Sequence, residues 1–331
     1  MSEKRWNPVL GEWVVTATHR QDRTFLPPPG YCPLCPTAEG GFPTEVPREH
    51  YDFVVFENKF PSFRRDPLPP AVLPTKLYPV EPSQGICEVV LYSSQHHSTL
   101  TALSLERMTQ LVRIWRDRYE ELGARSDVDY VFIFENKGEA IGVTIHHPHG
   151  QIYAFSYIPP KVQREIDSEI THYIETNRCL HCDIIAEELA TETRLVAGNE
   201  NFLAFVPFYA RYPYEVHLYA RHHIRSMKEF TPELEVELAA LLKVVLAKYD
   251  NLWGFSLPYM MVMHQAPTDG RLYPGSHFHI EFYPPYRTAD KLKYLAGCES
   301  GAGTFVNDTL PEDKALELRR SAPNTEQSKW R

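Results

Sequence analysis

The chain has 331 residues, 43% of them hydrophobic and 23% charged, with a net charge of −9. That is the composition of a water-soluble folded protein of one large or two ordinary domains, and the absence of any Lys/Arg cluster excludes a nucleic-acid backbone as partner. There is no apolar run of about 18 residues, and MSEKRWNPVLGEWVV lacks the apolar core of a signal peptide, so a cytoplasmic protein with no membrane segment is expected.

Residues 5–17 alternate in apolar character and predict one strand, followed by the polar stretch His19-Arg20-Gln21-Asp22-Arg23. Cys32 and Cys35 form a CxxC pair in a Pro/Gly-rich loop. Pro33 and Pro36 oppose the helix that a redox pair would open, so the spacing points to metal. Residues 52–56 predict a short strand leading into Glu57-Asn58-Lys59-Phe60, and 88–92 predict another. Ser104 is a plausible cap for a helix over 104–122, with Leu105, Met108, Leu111, Val112, Trp115 and Tyr119 on one face.

A buried-type strand over 128–134 runs through Asn136 and Gly142 to His147-Pro148-His149-Gly150-Gln151. In an extended segment His147, His149, Gln151 and Tyr153 share one face. Such a row can hold a metal with one imidazole and attack phosphorus with the next, while an amide donates to phosphate oxygens. The small Pro148 and Gly150 are expected to leave backbone room for a phosphate.

The order then repeats. A helix over 161–176 leads to a second pair, Cys179 and Cys182, and Asn199-Glu200-Asn201-Phe202 echoes Glu57-Asn58-Lys59-Phe60. Glu215-Val216-His217-Leu218-Tyr219 echoes Glu88-Val89-Val90-Leu91-Tyr92, and in each copy a histidine, His96 or His223, follows the glutamate by eight residues. A helix from Pro232, a strand over 259–263 and His277-Phe278-His279-Ile280-Glu281 complete the second copy. The fold class expected is α+β, with halves at 1–160 and 161–331, each an antiparallel sheet with a packed helix.

The repeat predicts two Cys2His2 sites, one from Cys32, Cys35, His96 and His147 and one from Cys179, Cys182, His223 and His277. Zinc suits that donor set, and four protein ligands make such sites structural. Phe278 and Ile280 pack where the first half has Pro148 and Gly150, so His149 is the expected nucleophile and His279 a structural residue or ligand. Cys87 and Cys298 are expected to be small buried residues.

With HPHGQIYA, FENKGEAIG, FENKF, RWNPVLGEWVV, HFHIEFYPP and KYLAGCESGAGTF in view, the chain resembles the galactose-1-phosphate uridylyltransferase family of the histidine triad superfamily, from about residue 5 to 317. The resemblance implies two histidine-triad-like repeats in a homodimer. It also implies a ping-pong exchange of UMP between UDP-glucose and galactose 1-phosphate through a covalent uridylyl-histidine. Residue by residue it makes His149 the nucleophile and Gln151 the phosphate donor. It puts Arg20, Arg23, Asn58, Phe60, Asn136, Gly142 and Thr144 at nucleotide and phosphate positions, and Lys293, Tyr294 and Glu299 near the hexose. Thr144 stands where the family has serine.

The resemblance also offers a different second metal site, zinc or iron, at Glu165, His264 and His279. Its last histidine is Glu281 in this chain, which favours Cys179, Cys182, His223 and His277. The base is open on residues alone. The alternatives are an adenylyltransferase or phosphorylase acting on an ADP-sugar or a dinucleoside polyphosphate, and a non-catalytic zinc-stabilised nucleotide-binding module.

Overall fold

In the computed structural model, which describes residues 2–22, 27–28 and 30–321, the strand predicted over 5–17 divides in two. Ser2–Asn7 (β1) and Glu12–Ala17 (β2) pair antiparallel, with Trp6 opposite Trp13. The Asn7 side chain accepts from the amides of Val9 and Leu10, and Gly11 takes a φ of 66°, so the chain reverses within the stretch read as one strand.

The first half continues with Val54–Glu57 (β3), Val80–Pro82 (β4, paired with β1) and Gly85–Leu91 (β5). Leu105–Gly123 (α1), Tyr130–Lys137 (β6) and His149–Phe155 (β7) complete it. The second half opens with Pro160–Thr176 (α2), Leu180–Thr191 (α3), Leu195–Gly198 (β8), Phe202–Phe205 (β9) and Val216–Ala220 (β10). Pro232–Leu252 (α4), Tyr259–His264 (β11) and His279–Tyr283 (β12) follow. Two short strands, Tyr286–Thr288 (β13) and Lys291–Leu292 (β14), precede Gly297–Ala302 (α5) and Pro311–Arg320 (α6).

The two antiparallel sheets expected from the repeat are one. Nine strands run in the order β3-β5-β7-β6-β11-β12-β10-β9-β8, and the halves meet where β6 pairs with β11, Glu135 opposite Met261 and Lys137 opposite Tyr259. Helices α1 and α4 cover one face. Ser104 caps α1 by accepting from the Arg107 amide, and Thr231 caps α4, whose first residue is Pro232. Met108, Leu111, Trp115, Leu238, Leu242 and Val245 meet Ile86, Val90, Val131, Ile133 and Ile152 in the main core. Burying each such side chain stabilises the fold by about 1.5–3 kcal/mol. Arg113 on α1 reaches Glu235 on α4 at 2.7 Å, tying the helices together.

Helix α3 was not legible from the sequence, and Cys179 is its N-cap. The second CxxC therefore opens a helix, unlike the first. Cys87 is buried as expected, but Cys298 is exposed, because it lies in the short surface helix α5 with no layer over it.

Candidate active site and metal centres

Period-two alternation along β7 gives its two faces different work. Ile152 and Ala154 enter the main core under the helices, while Tyr153 and Phe155 join the aromatic cluster on the opposite side. His149 and Gln151 share that second face, as predicted. The His149 ring is fixed by Nδ1, which donates to the His147 carbonyl at 2.8 Å, so Nε2 carries the lone pair. The Tyr153 hydroxyl donates to Gln151 Oε1 at 3.3 Å, turning the amide so that its NH2 can serve an incoming oxygen.

His149 lines a cavity of about 400 Å³ with His146, His147, Asn136, Lys137, Ser98, Thr99, Glu135, Phe255, Ser256 and Tyr286 among its walls. Both halves contribute. Asn136 lines this cavity; Gln151 on β7 and Gly142 and Thr144 in the loop between β6 and β7 do not. Lys137, Ser98, Thr99, Ser256 and Tyr286 were missed. Lys137 lies in the FENKGEAIG stretch, while the others carry no local signal and arrive only by folding.

Other expected residues fall elsewhere. Arg20 donates to Ser62 Oγ at 2.7 Å and to the Phe60 carbonyl, which gathers Arg20 and Phe60 beside Cys87 and Tyr153. Asn58 lines a separate cavity of about 340 Å³ with Lys59, Arg64, Arg65 and Cys87, and its Oδ1 accepts from the Phe60 amide. Arg23 lies outside the described residues. Lys293, Tyr294 and Glu299 do not line the His149 cavity; Lys293 is buried and bonded to Glu299 at 3.1 Å, while Tyr294 is exposed. The Lys293 ammonium and neighbouring backbone amides hold Glu299 at about 2, well below the usual carboxylate range.

Gly150 is small for a different reason from the one expected. Its position faces the helices, where a Cβ would lie 2.0 Å from the Tyr92 hydroxyl, so glycine makes room for a tyrosine rather than for phosphate.

The ligand atoms of Cys32, Cys35, His96 and His147 lie within 4.8 Å of one another. His147 Nε2 faces the Ser93 carbonyl and the Tyr51 hydroxyl, each at 2.7 Å, leaving Nδ1 toward Cys35 Sγ at 3.5 Å. Burial lowers His147 to about 4, so its ring is neutral near pH 7 and can act as a ligand. Burial and the neighbouring Cys32 thiol push Cys35 up to about 12; a bound dication would reverse that.

Cys179, Cys182, His223 and His277 form a second such group. His277 Nε2 faces the Ala220 carbonyl at 2.6 Å, and Nδ1 lies 3.5 Å and 3.6 Å from the two sulfurs. Two imidazoles beside the CxxC distinguish it from a redox pair.

Glu165, His264 and His279 form a third group, but with different surroundings. Burial alone would raise Glu165, yet the His264 imidazole at 2.6 Å holds it at about 2. Glu281, where a further ligand would be, is held by Lys161 at 2.6 Å, His217 at 3.3 Å and Arg211 at 3.5 Å. Two fixed cations already neutralise these carboxylates, so the residues fit a dication less well than the two Cys2His2 groups do.

Residues 1–159 match the family described as galactose-1-phosphate uridyl transferase, N-terminal domain, and residues 165–329 match its C-terminal domain. A galactose-1-phosphate uridylyltransferase of Thermotoga maritima is 42% identical over 97% of this chain and 99% of its own. A solved uridylyltransferase structure aligns with a TM-score of 0.86 at 35% identity, covering 96% of this chain and 98% of its own. An ADP-glucose phosphorylase from Arabidopsis thaliana shares the fold, with a TM-score of 0.73 at 22% identity over 98% of this chain and 100% of its own. With both domains matched in order and a relative alike from end to end, the chain belongs to the galactose-1-phosphate uridylyltransferase family.

Proposed function

We propose that this chain exchanges UMP between UDP-glucose and galactose 1-phosphate through a covalent uridylyl-His149. His149 Nε2 attacks the α-phosphorus, the bond to the glucose 1-phosphate oxygen breaks, and glucose 1-phosphate leaves. A phosphate oxygen of galactose 1-phosphate then attacks the same phosphorus, and the nitrogen–phosphorus bond breaks to give UDP-galactose. Gln151 donates to a non-bridging oxygen as charge grows there, held by Tyr153. The observation that carries this reading is the His149 tautomer set by the His147 carbonyl, with the ring on the wall of a cavity large enough for a sugar phosphate.

Zinc at the two Cys2His2 groups is part of the proposal, with Glu165, His264 and His279 left without metal. Bound there, zinc would clamp loops to strands, and at the first group it would fix the carbonyl of His147 that orients His149. We also infer a cytoplasmic homodimer; the free thiols of all six cysteines suit a reducing compartment. Among the described residues no helix is long and apolar enough to cross a membrane.

The test is the intact mass of the protein after incubation with UDP-glucose and, separately, ADP-glucose, with no acceptor present. An acid-labile uridylyl adduct that His149→Ala abolishes is the expected result. An adduct from ADP-glucose alone would move the protein to the adenylyl reading. No adduct from either would overturn the nucleophile.

A further inference from the structure

On the helix-facing side of the nucleophile strand lies a group of side chains that the reaction above does not use. Tyr92, just past β5, is 1% exposed and packs edge-on against Trp115. Its backbone N–H donates to the Pro148 carbonyl at 3.3 Å, and its hydroxyl fills the space in front of Gly150. Tyr92 therefore touches the residues on both sides of His149. Gly150 does not adopt a positive φ, so its backbone conformation suits any residue; what opposes a side chain is contact, first the Tyr92 hydroxyl at 2.0 Å and then its ring Cζ at 3.0 Å and the Phe134 carbonyl at 3.2 Å.

The hydroxyl is itself held. It donates to Glu135 Oε2 at 3.4 Å, and the Tyr259 hydroxyl donates to Glu135 Oε1 at 3.3 Å. Glu135 is 5% exposed and lies on β6, beside β7; Tyr259 lies on β11, the strand of the second half that pairs with β6. This tyrosine–carboxyl–tyrosine bridge crosses the junction between the halves, and Glu135 also lines the His149 cavity.

We infer that Tyr92, held by Glu135 and Tyr259, is a positioning residue that sets the height of the Gly150 backbone and through it the reach of His149 and Gln151. The inference rests on His149 being the nucleophile. A nucleophile displaced by about 1 Å from its line of attack loses on the order of 100-fold in rate, so a strand propped from behind is a direct lever on transfer.

The test is a double-mutant cycle read as the single-turnover rate of uridylyl-enzyme formation from UDP-glucose, with thermal unfolding of each variant alongside. Tyr92→Phe keeps the ring and removes the prop; it is expected to slow adduct formation about tenfold with little change in the UDP-glucose concentration needed for half-saturation. Gly150→Ala alone is expected to cost more, on the order of 100-fold, because the methyl meets the hydroxyl. In the Tyr92→Phe background the nearest atoms to that methyl are the ring Cζ at 3.0 Å and the Phe134 carbonyl at 3.2 Å. Both are tight, but shifts of a few tenths of an ångström would relieve them where the 2.0 Å contact demands far more, so Gly150→Ala is expected to regain at least tenfold there.

If Gly150→Ala costs the same in both backgrounds, or if Tyr92→Phe changes the rate by less than twofold, the inference is overturned while the reading of His149 stands. No adduct on the unaltered chain would overturn that reading and this inference with it. Should Gly150→Ala fail to fold alone, folding and transfer recovered in the double variant support the coupling, and their absence there overturns it.

Discussion

His277 repeats His147 across the two halves. Each Nε2 faces a backbone carbonyl, Ala220 at 2.6 Å or Ser93 at 2.7 Å, and each Nδ1 stands 3.5 Å from a cysteine sulfur. The shared tautomer leaves the donor atom directed at the thiols in both cases. The expected outcome is two zinc ions per chain by elemental analysis, with Cys32→Ser and Cys179→Ser each removing one. Loss at the second group should lower stability by more than the about 1 kcal/mol of an ordinary substitution while sparing adduct formation. Loss at the first should slow transfer as well, since the His147 carbonyl holds His149. Full zinc content in either variant would refute that ligand set.

Lys161 joins Glu281 at 2.6 Å and Glu165 at 3.5 Å, so its ammonium sits where a metal would compensate the same carboxylates. Lys161→Met should destabilise the protein by about 1–3 kcal/mol, less than removing one partner of a wholly buried pair, because the lysine side chain is 38% exposed. Denaturant unfolding measures the loss, and metal content should stay at two. A third equivalent of metal that disappears in Glu165→Gln would show that this group binds an ion after all.

Removing the nucleophile and removing its helper should have different signatures. His149→Ala should reduce turnover by at least ~10⁴-fold and abolish the adduct. Gln151→Ala should still form the adduct, about 10²–10³-fold more slowly, with half-saturation by UDP-glucose little changed, because its bond strengthens as charge develops. A Gln151→Ala enzyme altered only in half-saturation would make the amide a binding group rather than a stabiliser of the transition state.

How much of this could be read beforehand depends on whether a signal was local. His149 and Gln151 share a face because they sit two residues apart in a strand, and the Cys pairs announce themselves by spacing. The turn at Asn7 to Gly11 did leave a local signal, Asn7-Pro8 and Gly11, which a single-strand reading of the apolar residues around it passed over. The joining of the sheets through Lys137 and Tyr259 left no trace, since an edge-to-edge pairing uses backbone groups that every residue has. Lys161, Arg211 and Glu281 come from three distant segments, so the closing of the third group is visible only in the folded chain. Tyr92 read as one more strand residue, and its relation to Gly150 is a matter of 2.0 Å.

Glu135 makes a signed prediction about pH. Burial pushes its carboxyl up to about 7 from an ordinary 4.5; Lys137 and the hydroxyls of Tyr259 and Tyr92 pull the other way without cancelling it. Below pH 4.5 the group is protonated in both folded and unfolded chains and has no effect on stability. Between about 4.5 and 7 the unfolded chain releases the proton and the folded chain keeps it, so stability falls as pH rises, and above 7 the penalty is constant. A shift of that size corresponds to about 3 kcal/mol. Glu135→Gln keeps the shape and removes the charge, so its stability relative to the unaltered protein should rise by about this amount between pH 4.5 and pH 8, measured by urea unfolding at each pH. Depressed carboxylates such as Glu165 act in the opposite direction and at lower pH, and they are common to both proteins, so they drop out of the difference. Parallel stability curves would mean that Glu135 ionises normally when folded, and the bridge between Tyr92 and Tyr259 would then be a carboxylate held by two donors throughout the neutral range.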